Sequence, residues 1–77
     1  MPANERWALA RRVRDQVEHR LGARPEVRMI DLGAAKDGSP IVQVHVERAL
    51  TLADLAIEAQ IEGIPIEVRR AANFRLE

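Results

Sequence analysis

The chain has no cysteine, which excludes disulfides, iron–sulfur ligation and thiol catalysis together and leaves the redox compartment undetermined. It has two aromatic side chains, Trp7 and Phe74, and neither lies in a segment with strand alternation, so the stacking platform of RNA-binding sheets is missing. One serine, Ser39, and one threonine, Thr51, leave few hydroxyl nucleophiles. Charge of one sign is missing too: twelve basic residues balance twelve acidic ones, which gives no global attraction to nucleic acid or anionic lipid. No apolar run approaches the ~20 residues of a membrane span, and Met1–Arg6 lacks the basic and apolar regions of a secretory signal. A soluble, cytoplasmic protein is the expectation.

What is present is ordinary globular composition, 47% hydrophobic and 31% charged over 77 residues. That length makes one domain spanning 1–77, with an ordered core at about 5–70 and a short tail at 71–77. A chain this short buries roughly 60% of the surface its unfolded form exposes, so modest stability or self-association is expected. The charge differs little along the chain: eight basic and six acidic residues through Gly38, four and six afterwards. Eleven of the twelve basic residues are arginine, a bias that genome composition or thermal adaptation explains before any site does.

Leu9, Ala10, Val13, Val17 and Leu21 fall on one stripe of a 3.6-residue wheel, with Trp7 at its edge, and predict a helix over 4–21. Asn4 is its expected cap and Gly22 its end. Arg11 with Asp15 and Arg14 with Glu18 are spaced for pairs on its outer face. After Pro25, Val27–Leu32 reads as a strand with blurred alternation, which suggests partial burial on both faces. The turn Ala34–Pro40 contains Asp37-Gly38, suited to a hairpin. Ile41–Glu47 is the clearest strand, with Val42, Val44 and Val46 on one face and Gln43, His45 and Glu47 on the other.

Thr51 with Asp54 three residues later resembles a capping box, so a second helix is expected from Leu52 to Gln60 or Ile61, with Leu52, Leu55, Ala56 and Ala59 inward and Gly63 ending it. In IEGIPIEVRR, residues 61–70, Ile64, Ile66 and Val68 alternate with Pro65, Glu67 and Arg69 as a third strand. Pro65 lacks a donor N–H, which places that strand at a sheet edge, or at least turns that position to solvent, and marks Glu67–Arg70 as a docking segment. The order α-β-β-α-β predicts an α+β, two-layer sandwich: a three-stranded sheet with both helices on one face. Gln43, His45, Glu47, Glu67 and Arg69, with Arg28 or Asp31 from the first strand, would line the uncovered face, the candidate partner-binding site.

Catalytic and metal sites are not expected. His19 and His45 are the only histidines, without an H-x-x-x-H or E-x-x-H, so no metal and no cofactor is anticipated. His45 could pair with a carboxylate such as Glu67, which is ordinary surface chemistry. Ser39 sits in a turn and Thr51 caps a helix; no G-x-S-x-G, P-loop or G-x-G-x-x-G occurs. Carboxylate pairs such as Glu62 with Glu67 need a pocket that a two-layer domain this small hardly offers.

The run DGSPIVQVHVER, 37–48, followed by IEGIPIEV, 61–68, resembles a small α/β domain of unknown function found in bacterial proteins, often ahead of trypsin-like protease domains. The likeness covers roughly residues 8–75 and implies an accessory module without catalytic residues of its own. A weaker resemblance is to BON domains, which share the element order and a glycine entry to the last strand. The order is also KH-like, though the G-x-x-G loop with which such domains grip single strands is absent. The expected function is therefore non-catalytic: a scaffold or interaction domain that self-associates or docks a protein through its sheet face or edge. The alternative is weak single-stranded nucleic-acid binding through Arg11, Arg12 and Arg14, which Asp15 and Glu18 interrupt.

Overall fold

Ala10, Val13, Val17 and Leu21 recur at spacings of three and four, so a helix places all of them on one side. In the computed structural model, which describes residues 3–70, they are the buried stripe of helix α1 (Ala3–Leu21). The helix begins at Ala3, so Asn4 lies in the first turn and not at the cap. Glu5 in the first turn and His19 and Arg20 in the last complement the helix dipole. On the outer face Arg14 pairs with its neighbour Asp15 at 3.4 Å, in place of the i,i+4 pairs expected there.

Strands β1 (Val27–Ala34) and β2 (Pro40–Val46) form the expected antiparallel hairpin. The Gly38 N–H donates to Ala35 O and the Ala35 N–H to Ser39 O, at 2.9 and 2.8 Å. With Gly38 at φ 85° this is a type I turn closed by a left-handed residue, a common three-residue hairpin loop. Asp37 accepts from the Ser39 N–H and hydroxyl at 3.0 and 2.6 Å. These bonds, the hydroxyl first, hold the Asp37 carboxyl below its ordinary value of 3.8. Val42, Val44 and Val46 are fully buried against α1.

The second helix is not formed. Thr51 and Asp54 do make the capping box: the Thr51 N–H donates to Asp54 Oδ2 at 2.9 Å and the Asp54 N–H to Thr51 Oγ1 at 3.1 Å. Only one turn follows. The Ala56 N–H donates to Ala53 O and the Ile57 N–H to Leu52 O, both at 3.1 Å, and Ala56 takes φ 55°. This pair of bonds around a left-handed residue is a Schellman stop, five residues after the cap.

Burial explains the early stop. A continued helix would turn Leu55, Ala56 and Ala59 inward and leave Ile57 about 200° round the wheel from Leu55. The structure instead buries both Leu55 and Ile57, at 1% and 6% exposure, and leaves Ala56 and Ala59 in solvent. Fully burying an isoleucine is worth about 1.5–3 kcal/mol, against about 1–2 kcal/mol for one alanine in the left-handed region. A short isolated helix has little intrinsic stability to set against that exchange.

The chain then makes a short hairpin, β3 (Gln60–Ile61) and β4 (Ile64–Arg70), joined by Glu62 and Gly63 at φ 52° and 81°. Two central residues with positive φ define the mirror-image turn that suits strand twist. Gly63 is thus the second position of a hairpin turn, not the end of a helix.

β4 runs parallel to β2, which orders the mixed sheet β1-β2-β4-β3. Among the described residues four strands and one helix replace the expected three strands and two helices; a small α+β fold with a helix on one face of the sheet is as read from the sequence. β4 is also not the outermost strand, because β3 pairs with its first two residues. The crossover, residues 47–59, lies beside α1 on the same face. Arg20 donates to Glu58 Oε1 at 2.9 Å and to Ala56 O at 3.0 Å, and Arg6 donates to Gly63 O at 3.0 Å. The tail at 71–77, expected to trail the last strand, falls outside the described residues.

Candidate functional site

Because strand side chains alternate, burial of Val42, Val44 and Val46 under α1 turns Gln43 and His45 to the opposite face. The register fixes their neighbours. Asp31, Gln43 and Glu67 form one row across β1, β2 and β4, and Met29, His45 and Arg69 form the next. Among the described residues no second layer covers these rows. Four of the five expected site residues, Gln43, His45, Glu67 and Arg69, therefore stand together with Asp31.

Glu47 stands apart, just beyond the end of β2. The ladder slips between Val27 and Met29, leaving Arg28 as the extra residue of a bulge, and Arg28 donates to Glu47 Oε2 at 2.8 Å. The two candidates for the strand-one contribution thus divide: Asp31 joins the face, and Arg28 ties Glu47 to the end of the hairpin.

His45 does not pair with Glu67. Its Nε2 lies 3.0 Å from Asp31 Oδ1, with the ring 18% exposed. Parallel pairing sets Arg69, not Glu67, opposite His45, and Glu67 accepts from Arg69 on its own strand at 3.2 Å. The His45–Asp31 contact is a hydrogen bond when Nε2 carries the proton, as it does in the imidazolium and in one neutral tautomer. Gln43 leans toward β1: a Cβ on Gly33 would lie 2.6 Å from its Nε2. A glycine there leaves space for the amide to lie flat across the strand.

Met29 is the residue the sequence reading missed. It is 46% exposed, the one large hydrophobic side chain so exposed among the described residues, and it stands in the His45 row. Its parity with Asp31 was the available signal, masked by the apolar run Met29, Ile30 and Leu32. The face thus combines an exposed thioether with acidic, basic, amide and imidazole groups.

The charges on the face are of both signs. Asp31 and Glu67 oppose Arg69, and half-exposed pairs such as Glu67–Arg69 and Arg28–Glu47 contribute about 0.2–1 kcal/mol each. Groups held so weakly can exchange partners at little cost. Such a face carries no single-sign track for a phosphate backbone, and no aromatic side chain lies on the described strands. At the same end of the sheet, Glu26 lies 3.7 Å from both Arg24 and Arg48, beyond hydrogen-bond length.

The hydroxyls are occupied: Ser39 donates to Asp37, and Thr51 closes the cap with Asp54. Two hollows occur. One of about 150 Å³ lies between the end of α1 and β1, beside Met29, and is smaller than the ~300 Å³ at which ligand pockets begin. The other, about 450 Å³ and open to solvent, lies along Asp15, Gln16, His19 and Arg20; Arg20 already reaches Glu58 in the crossover, and Gln16 reaches Glu62 in the β3–β4 turn. Among the described residues no three His, Asp or Glu side chains are grouped to hold a metal ion, and no helix is long and apolar enough to cross a membrane. Compared with protein-family models, with curated proteins and with solved structures, the chain matches none.

Proposed function

We propose that this protein is a non-catalytic interaction domain that docks a protein partner, a second copy of itself included, through the open face of its sheet and the adjoining edge of β4. The observation that supports the reading is the ordered patch of Met29, Asp31, Gln43, His45, Glu67 and Arg69 on the side of the sheet away from α1. Interfaces favour methionine and arginine at their centres over lysine and glutamate. The patch supplies one of each favoured type, with hydrogen-bonding groups around them.

Mapping backbone amide shifts of labelled protein between low and high concentration tests the proposal. Shifts gathered on β2, β4 and Met29–Asp31 are expected. A Met29→Glu variant should diminish them, because it adds a second acid beside Asp31 and removes the apolar centre. Perturbation confined to the outer face of α1 would contradict the reading. So would salt-sensitive binding of labelled single-stranded RNA or DNA, the signature of phosphate contacts.

A further inference from the structure

The edge of β4 specifies its own complement. β3 covers only the start of β4, pairing Ile61 with Ile64 and Gln60 with Pro65. The last bond on that side runs from the Ile66 N–H to Ala59 O at 2.8 Å. Backbone groups of successive strand residues point to opposite sides, so the N–H and C=O of Val68 face outward, the same way as those of Ile66. Glu67 and Arg69 turn theirs toward β2. Among the described residues no strand pairs with Glu67–Arg70 on the outer side.

We infer that two copies of this chain pair antiparallel through this edge, with the two-fold axis at Val68. This rests on the reading of the domain as an interaction module and names its partner and contact. In that register Val68 meets Val68 of the other copy as a hydrogen-bonded pair, each exchanging N–H and C=O. Glu67 falls opposite Arg69 of the other copy, and Arg69 opposite its Glu67. These are non-hydrogen-bonded positions, where side chains stand closest. The segment is therefore charge-complementary to itself in one register.

Centring the axis on Arg69 instead would set two arginines face to face. β1, the other edge, has no such register within the regular strand: centring on Asp31 opposes two acids, centring on Met29 or Ile30 pairs no opposite charges, and centring on Val27 would set Glu26 against Arg28, but Glu26 precedes the strand and Arg28 sits in the bulge. The valines meet on the helix side, where Val68 already packs against the core, and the charges meet on the open face beside Gln43 and His45. β3 stops the pairing from running further along β4, since Arg70 falls opposite Ile66, whose outward N–H is already bonded to Ala59 O. The contact is short, so the dimer is weak and concentration-dependent.

Sedimentation equilibrium of the full 77-residue chain from micromolar to millimolar concentration tests the inference. The wild type should dimerise. Glu67→Arg and Arg69→Glu should each weaken the dimer about tenfold by opposing like charges, and the exchanged double variant E67R/R69E should restore it. Val68→Pro should abolish it, since it removes an outward N–H without touching the β2 ladder, whereas Val68→Thr keeps that N–H and should dimerise normally. Circular dichroism on each variant reports whether the fold is intact. A wild type that stays monomeric throughout overturns the inference. So does a dimer that survives a folded Val68→Pro, which would leave docking through the sheet face standing without the edge.

Discussion

The α1–hairpin half and the crossover half of this small sheet are built by different rules. In α1, β2 and the turn before β2 the hydrophobic period, the turn residues and the buried set agree: the valines of β2 alternate, and the Asp37-Gly38 turn needs no non-glycine residue with positive φ. From Glu47 to Gly63 the local signals compete with burial and lose. Both non-glycine residues with positive φ among the described residues, Ala56 and Glu62, lie there. Local consistency thus carries the first half, and tertiary burial overrides local preference in the second.

The largest expected effect tests whether the crossover is core or merely connection. Leu55 is 1% exposed and Leu21, on α1, is 3%, so Leu55→Ala and Leu21→Ala should cost alike, about 2–5 kcal/mol. At 4–8 °C per kcal/mol for a domain of this size, both should lower Tm by at least about 8 °C in thermal unfolding. A Leu55→Ala cost below about 1 kcal/mol would erase the equivalence and return the segment to the status of a surface loop.

Next come the two hairpins. Gly63→Ala places a Cβ at φ 81°, at a cost of about 1–2 kcal/mol. Nothing lies within 4 Å of the added atom, so the loss measures backbone conformation alone. Gly38→Ala, at φ 85° with the same open surroundings, should match it in urea unfolding. A larger loss at Gly63 would show that the β3–β4 turn also fixes the crossover, through the Arg6 bond to Gly63 O.

The cap should matter less, and with a pH signature. Thr51→Ala removes one partner of the capping box, at about 1 kcal/mol. Asp54 is held below its ordinary 3.8, chiefly by the Thr51 N–H and then by the Thr51 hydroxyl. A depressed carboxylate stabilises the fold above its unfolded value and loses that contribution as pH falls through the folded one. Glu58, lowered by its bond from Arg20, follows the same sign. The acid limb of a Tm-against-pH curve, below about pH 4, should therefore flatten in Asp54→Asn and in Arg20→Ala. An unchanged limb in both would detach the crossover's ion pairs from its stability.

The candidate site was legible to the extent that it depends on strand period. Gln43, His45, Glu67 and Arg69 could be assigned to one face because alternation alone decides it. Their partners could not. Whether His45 meets Asp31 or Glu67 depends on the parallel register of β2 and β4, which is set by the length and path of the crossover and not by any residue in the strands. The same gap hid the fourth strand, because two residues, Gln60 and Ile61, carry no period. The false helix has a definite cause as well: the Thr51–Asp54 cap is real, but no glycine marks the stop, since Ala56 takes the left-handed position in which glycine is the usual residue.

That substitution makes the smallest prediction the most discriminating. Ala56→Gly relieves about 1–2 kcal/mol of left-handed strain and gives back about 0.4–1 kcal/mol through the greater freedom of the unfolded chain, so a net gain of about 0.5 kcal/mol is expected. Glu62→Asn should act in the same direction, because asparagine before glycine is a favoured pair for the mirror-image turn. It removes only a long 3.4 Å bond from Gln16. The two sites share no hydrogen bond, so the double variant should gain the sum, about 1 kcal/mol, or 4–8 °C in Tm. A helix continuing from Leu52 to Gln60 would respond oppositely at position 56, where glycine in a helix interior costs about 1 kcal/mol relative to alanine. The sign of the Ala56→Gly change in solution thus decides between the single capped turn and the helix that the sequence pattern favours.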